Sequence, residues 1–362
     1  MIRPLYRRPA PLAHSLFSPV QIGALNLRSR LVMAPMTRNR TPGQTPNALN
    51  AEYYAQRAGA GLIVTEGTTP DASGRGYIDI PGIYNPAQVE GWRQVASAVH
   101  AKGGHIFVQL MHTGRISLPD FLDGGEPIAP SAIAAPGEVL THTGMKPYGT
   151  PRALEADEIP AMIATYGRAA SFAREAELDG VEVHGANGYL PNQFLAPNTN
   201  HRDDAWGGSV ENRARFLLGA VDSAVAAIGA GRVGVRLSPG GVFNDIHDPD
   251  VPGTYAYVAA ELAKRNLAYL HIINTNPGFD VPALIRAHYE GMLILNAGYD
   301  LARANADIGS GLADLVAFGV PYLANPDLDA RLAQGAPLNA PDKATFYGGN
   351  AHGYTDYPAM AA

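Results

Sequence analysis

Residues 180–189 read Gly180-Val181-Glu182-Val183-His184-Gly185-Ala186-Asn187-Gly188-Tyr189. The first six set valines around a Glu and a His and stop at a glycine, the form of a short buried strand. Seven comparable runs share the chain with it. They are LVMAPM (31–36), GLIVTEG (61–67), HIFVQL (105–110), VGVRLSP (233–239), YLHIINT (269–275), MLILNAG (292–298) and LVAFGV (315–320). Near-continuous apolar runs of this kind are strands covered on both faces, which marks a parallel sheet. Helical segments rich in Ala, Leu and Arg lie between them, the clearest at roughly 86–101, 156–178, 209–229, 254–265 and 300–311. Acidic residues from Glu155 to Glu158 suit the start of one of these helices. Eight such alternations predict an α/β chain folded as a single-domain (β/α)8 TIM barrel rather than an open, doubly wound sheet.

The 75-residue interval between the runs starting at 105 and 180 hides an insertion after the third strand, about 111–154, rich in Pro and Gly. An insertion there falls on the C-terminal face of a barrel, where a lid or substrate wall is expected. Residues 16–27 (LFSPVQIGALNL) read as a hairpin closing the barrel bottom. The barrel is expected over 16–358, preceded by an extension, 1–15, expected to be flexible.

Composition narrows the function. Net charge is −6, with 27 Lys and Arg against 33 Asp and Glu, so the basic surplus of a nucleic-acid binder is missing. Cysteine is absent, which removes disulfides, thiolate metal sites and thiol nucleophiles. No signal-peptide pattern and no run of 18 apolar residues occurs, so a soluble cytoplasmic protein without membrane contact is expected. None of the four lysines falls on a predicted strand, against a Schiff-base aldolase. The 11 histidines form no compact ligand cluster, so no metal is expected.

In a barrel, chemistry gathers where strands end. His184 and Asn187 are two donors able to stabilise charge growing on a carbonyl oxygen, and Tyr189 suits a proton donor at neutral pH. A hydrogen-bonded structural histidine and a turn-forming Asn-Gly are the plainer alternatives. Arg236 shares a face with Gly234 and Ser238, and a buried arginine needs an anion. Either Glu182 or an anionic cofactor would serve. Gln109 has the amide edge to pair with a flat heterocycle. Gly298 and Gly319, after the last two strands, would let backbone N–H groups approach a phosphate or simply make turns. His271 reads as a satisfied core histidine.

Longer stretches around these residues resemble the old yellow enzyme family of flavin-dependent ene-reductases. The likeness rests on LFSPVQIGALNLRSRLVMAPMTR (16–38), AEYYAQRAGAGLIVTEG (51–67), QLMHTGR (109–115), VEVHGANGYLPNQFLAPNTNHRDDAWGGSVENRARF (181–216), ADLVAFGVPYLANPDL (313–328) and TFYGGNAHGYTDYP (345–358). It implies noncovalent FMN at the barrel mouth. Thr37 and Gln109 would hold the flavin's polar edges, and Arg236 would sit by the charge of the reduced ring. Pro35, Met36, Gly67, Gly298 and Gly319 would add backbone contacts. His184 and Asn187 match the pair gripping the substrate carbonyl, and Tyr189 matches the proton donor. Tyr77, Met111 and Tyr347 would line the substrate pocket.

The resemblance further implies reduction of α,β-unsaturated carbonyl compounds by NADPH or NADH, in a monomer or homodimer. A nitroester or nitro-compound reductase, or a flavin binder without ene-reductase turnover, are the alternatives. Three positions depart from the family pattern: Val320 replaces an arginine used on the FMN phosphate, Met111 a tryptophan, and Trp206 a tyrosine. Thr37 and the lack of cysteine separate the chain from members with cysteine there and from iron–sulfur-containing relatives.

Overall fold

A computed structural model describes residues 14–361. The extension expected at 1–15 falls, except for its last two residues, outside them. Eight parallel strands close into a barrel in chain order. They are β1 (Leu31–Met33), β2 (Leu62–Thr68), β3 (Ile106–Leu110), β4 (Gly180–Gly185), β5 (Val233–Leu237), β6 (Tyr269–Ile273), β7 (Leu293–Asn296) and β8 (Leu315–Phe318). Each predicted run coincides with one of them, β2 extending one residue past its run.

Alternation along each strand sorts side chains to two sides. Outward residues such as Val181, Val183, Val233, Val235, Leu270 and Ile272 pack under the surrounding helices. The inward set forms two layers. Nearer the strand starts it is apolar: Phe107, Tyr269, Ile294 and Leu315, capped from below by Ile22 and Leu27. Those two belong to an antiparallel hairpin, Val20–Ile22 with Leu25–Leu27, which is the predicted bottom closure. Further along, on β3 to β6, the inward residues are Gln109, Glu182, His184, Arg236 and His271, all buried. Polarity is thus confined to the barrel's upper end. Gly234 is required beside Tyr269, because a Cβ there would enter the tyrosine ring.

The five predicted helices occur as Pro86–His100, Ile159–Glu175, Val210–Ile228, Val251–Ala263 and Leu301–Gly309. The helices not expected from the pattern include Ala48–Gln56 and Val281–Arg286. The first owes its start to Asn47, whose side chain accepts from the backbone of Leu49 and Asn50. The second is six residues long, too short to show a helical period.

The insertion folds into small β elements. Ile128–Ala129 pairs with Arg152–Ala153 at its base, and Glu138–Thr141 pairs with Gly144–Pro147 in a hairpin. Lys146 therefore does lie on a strand, but of this hairpin, where it pairs with Asp120 at 2.6 Å. No helix among the described residues is long and apolar enough to cross a membrane.

Candidate active site

A cavity of about 700 Å³ opens at the C-terminal end of the barrel, within the range of small-molecule and cofactor sites. Pro35, Met36, Thr37, Gly67, Tyr77, Gln109, Met111, His184, Asn187, Tyr189, Arg236, Val320 and Tyr347 all line it. These are all the predicted site residues except Gly298 and Gly319. Those two sit just beyond β7 and β8 and are not among its lining residues. Gly298 has φ +71°, and its carbonyl accepts from the guanidinium of Arg303 at 3.1 Å. The insertion contributes Glu138, Val139, Leu140 and Tyr148, so it is a wall of the cavity, as expected.

The floor is a buried polar network. Gln109 Nε2 donates to Glu182 Oε1 at 2.7 Å, and His271 Nδ1 lies 2.9 Å from Glu182 Oε2. An ionised carboxylate only accepts, so the Gln109 amide must turn its NH2 inward and keep its carbonyl oxygen for the cavity. Burial would raise the Glu182 carboxyl, but His271, Arg236 and the Gln109 hydrogen bond together hold it below its usual value. Burial lowers His271 despite Glu182, so a neutral imidazole donates Nδ1–H to the carboxylate. Its Nε2 has no hydrogen-bond partner among the described residues, so His271 is not the fully satisfied core histidine expected.

Arg236 makes no hydrogen bond to Glu182, although the two charges stabilise each other. Glu182 is occupied by Gln109 and His271, and Arg236 instead donates through Nη2 to Asn296 Oδ1 at 2.9 Å. Its buried Nε has no hydrogen-bond partner among the described residues, a cost that an acceptor in the cavity would relieve. Asn296, at the end of β7, is the residue sequence reading missed here; its signal was its inward parity with Ile294.

Beside this network His184, Asn187 and Tyr189 line the same cavity. His184 Nδ1 accepts from the backbone N–H of Ala186 at 3.3 Å, which leaves Nε2 to carry the proton. Burial and then the neighbouring Arg236 push its pKa down to about 3, so the ring is a neutral donor at working pH. Asn187 adopts the left-handed conformation, φ +57°, which asparagine tolerates. Its N–H donates to Ser238 Oγ at 3.0 Å and its carbonyl accepts from Asn244 Nδ2 at 2.8 Å. The backbone turn is thereby pinned at both groups. Asn244 was not singled out in the sequence.

Tyr189 lies edge-on to His184, ring centroids 5.0 Å apart, with its hydroxyl 3.0 Å from that of Tyr77. Burial pushes its pKa up to about 12, so it holds its proton at neutral pH. Met111 packs into the space beside Gly67, where a Cβ would strike its thioether. His112 and Arg115, close behind Gln109, face elsewhere: His112 Nε2 meets Ser73 Oγ at 3.1 Å, and Arg115 binds backbone carbonyls of Asn244 and Asp245.

A model of the NADH:flavin oxidoreductase / NADH oxidase family matches residues 15–339. The chain belongs to the old yellow enzyme family. The solved structure of morphinone reductase in complex with tetrahydroNAD superposes with a TM-score of 0.92 at 47% identity, over 96% of this chain and 98% of that one. The old yellow enzyme homologue from Zymomonas mobilis superposes with a TM-score of 0.93 at 41% identity, over 96% and 100%. Among curated proteins, a probable flavin mononucleotide-dependent alkene reductase of Leishmania infantum is 42% identical over 355 residues, 95% of this chain and 97% of its own. The 12-oxophytodienoate reductase 1 of Oryza sativa subsp. japonica is 41% identical over 364 residues, 97% and 94%. This old yellow enzyme family member is an oxidoreductase with the barrel of its relatives.

Proposed function

We propose that the chain reduces the activated C=C bond of α,β-unsaturated carbonyl compounds, using FMN and a nicotinamide donor. The observation that carries this reading is the meeting of two sets of groups in one cavity. Two neutral donors and a protonated tyrosine share the cavity with an arginine nitrogen that has no hydrogen-bond partner among the described residues and with an amide oxygen.

The floor fits FMN. Arg236 Nε would meet an acceptor on the flavin's pyrimidine side, Gln109 would offer its carbonyl oxygen to a ring N–H, and Thr37 would hold a ring carbonyl. Backbone at Pro35, Met36 and Gly67 would flank the ring, with Gly298 and Gly319 toward the phosphate. FMN supplies hydride storage between donor and substrate. His184 Nε2 and the Asn187 amide bind the substrate carbonyl and favour charge on its oxygen. Tyr189 gives a proton to the α-carbon. Met111, Tyr77 and Tyr347 bound the substrate space.

NADH or NADPH is the hydride donor; the relative bound to tetrahydroNAD supports a nicotinamide dinucleotide in this cavity. The working unit is 16–358, with 1–15 as an extension, acting as a monomer or homodimer. Absence of cysteine suits a reducing compartment, and we place the enzyme in the cytoplasm.

The test is spectroscopic. Purified protein loaded with FMN should bleach with NADH or NADPH under anaerobic conditions and recover its colour on adding cyclohexenone. Failure to bind FMN, or reduced flavin that cyclohexenone does not reoxidise, would refute the reading. Faster reoxidation by a nitroester than by the enone would favour the nitro-reductase alternative.

A further inference from the structure

A tyrosine that gives up its proton in every turnover must get it back. Tyr189 is poorly placed to do so alone: it is 7 % exposed, and a substrate over it would cut off what solvent access remains. A phenolate stranded there would be a buried, unpaired charge. Tyr77 meets this need. Its hydroxyl is 3.0 Å from that of Tyr189, with the rings edge to face at 86°. It is half-buried, and so nearer water than Tyr189.

Either hydroxyl can be the donor in that contact, and a neighbouring amide biases it toward Tyr77. Burial raises the Tyr77 hydroxyl well above its ordinary value, and a hydrogen bond with the Asn244 side chain works against that, as an amide N–H donating to the Tyr77 oxygen would. The Tyr77 proton is then free to point at Tyr189, and that contact in turn eases ionisation of Tyr189. Asn244 is itself anchored through its amide to the carbonyl of Asn187. One residue therefore ties the carbonyl-binding turn to the second tyrosine.

We propose that Tyr77 is the second member of a two-tyrosine proton relay that recharges Tyr189 from water during enone reduction. This rests on the reading of Tyr189 as the proton donor. As the substrate's α-carbon takes the proton, the Tyr189 O–H bond breaks and a new C–H bond forms. The electron pair left on the Tyr189 oxygen takes the Tyr77 proton in the same step. Tyr77 then takes a proton from water at the cavity mouth, leaving hydroxide to the buffer. One hydride and one proton are added to the substrate, and both tyrosines end as they began.

The test is rapid mixing of FMN-loaded, pre-reduced enzyme with cyclohexenone in mixtures of H2O and D2O, for wild type, Tyr77→Phe and Tyr189→Phe. Two protons moving together give wild type a bowed dependence of reoxidation rate on deuterium fraction. Tyr77→Phe should reoxidise about tenfold more slowly, with a linear dependence, because a single proton remains in flight. A linear dependence in wild type, or a bowed one retained in Tyr77→Phe, would overturn the relay. Tyr189→Phe separates the two claims. Reoxidation at the wild-type rate in that variant would overturn Tyr189 as donor, and the relay with it. Slow reoxidation there beside an unaltered Tyr77→Phe would overturn the relay alone.

Discussion

Gln109 Nε2 lies 2.7 Å from Glu182 Oε1, with both side chains sealed inside the barrel. The carboxylate thereby decides which end of the Gln109 amide the cofactor meets. In Glu182→Gln the partner is itself an amide that can face either way, and the orientation is no longer enforced. FMN affinity should fall about tenfold, near 1.4 kcal/mol. Titration of apoprotein with FMN, followed by quenching of flavin fluorescence, measures this. An unchanged Kd would remove Glu182 from cofactor positioning.

Arg236 carries a buried positive charge with a free Nε at the cavity floor. Arg236→Gln should destabilise the reduced, anionic flavin relative to the oxidised form. The loss of one charge-assisted hydrogen bond corresponds to a midpoint potential lower by roughly 30–60 mV. Dye-coupled reductive titration reads the shift. A potential equal to wild type would place the arginine away from the reduced ring.

Glu66, beside Gly67, is buried, and burial raises its pKa to about 7, partly countered by the Arg38 backbone N–H and charge. The folded state then holds a proton that the unfolded chain releases near 4.5. Stability contributed by this group is complete below 4.5 and is lost as pH rises through about 7. Glu66→Gln avoids that loss. Its stability relative to wild type should rise between pH 4.5 and 8, by up to roughly 3 kcal/mol. His184 and His112, both held neutral by burial, weaken both proteins equally in acid and cancel from the comparison. A difference in Tm that stays flat with pH would refute the assignment.

Arg38 holds the C-terminal segment over the mouth, donating to the carbonyls of Phe346 and Gly353, each at 2.8 Å. Phe346 and Tyr347, carried on that segment, line the cavity. Arg38→Ala should raise KM for cyclohexenone and lower stability by roughly 2–4 kcal/mol, because several buried hydrogen bonds go at once. Thermal unfolding and steady-state kinetics test the two parts.

Val320 is 46 % exposed at the cavity edge next to Gly319. Val320→Arg should tighten FMN about tenfold through a charge-assisted contact to phosphate, and leave riboflavin binding unchanged. Equal tightening of both ligands would show that the phosphate lies elsewhere.

Much of this was legible along the chain. The eight runs, the bottom hairpin and the insertion wall all carry local signals: β-branched runs, glycine stops and an overlong interval. His184, Asn187 and Tyr189 fall within six residues of each other, so a single strand end displayed them. Asn296 and Asn244 did not stand out, because each acts on a residue distant in sequence. Asn296 lies 60 positions from Arg236, and Asn244 lies 57 from Asn187. Helices as short as Val281–Arg286 also escaped, for want of a full period.

The sequence by itself determined the barrel, because alternation and run length are properties of neighbouring residues. It also determined which residue types stand at each strand end. Only the tertiary structure decided how those residues pair. Closing the barrel set Glu182 opposite Gln109 and His184 opposite Arg236 on neighbouring strands. It gave Glu182 to Gln109 and His271, and left Arg236 with Asn296 and one free nitrogen. Hydrogen bonds across a barrel depend on register and on which partner arrives first within reach, and neither is written in any one strand.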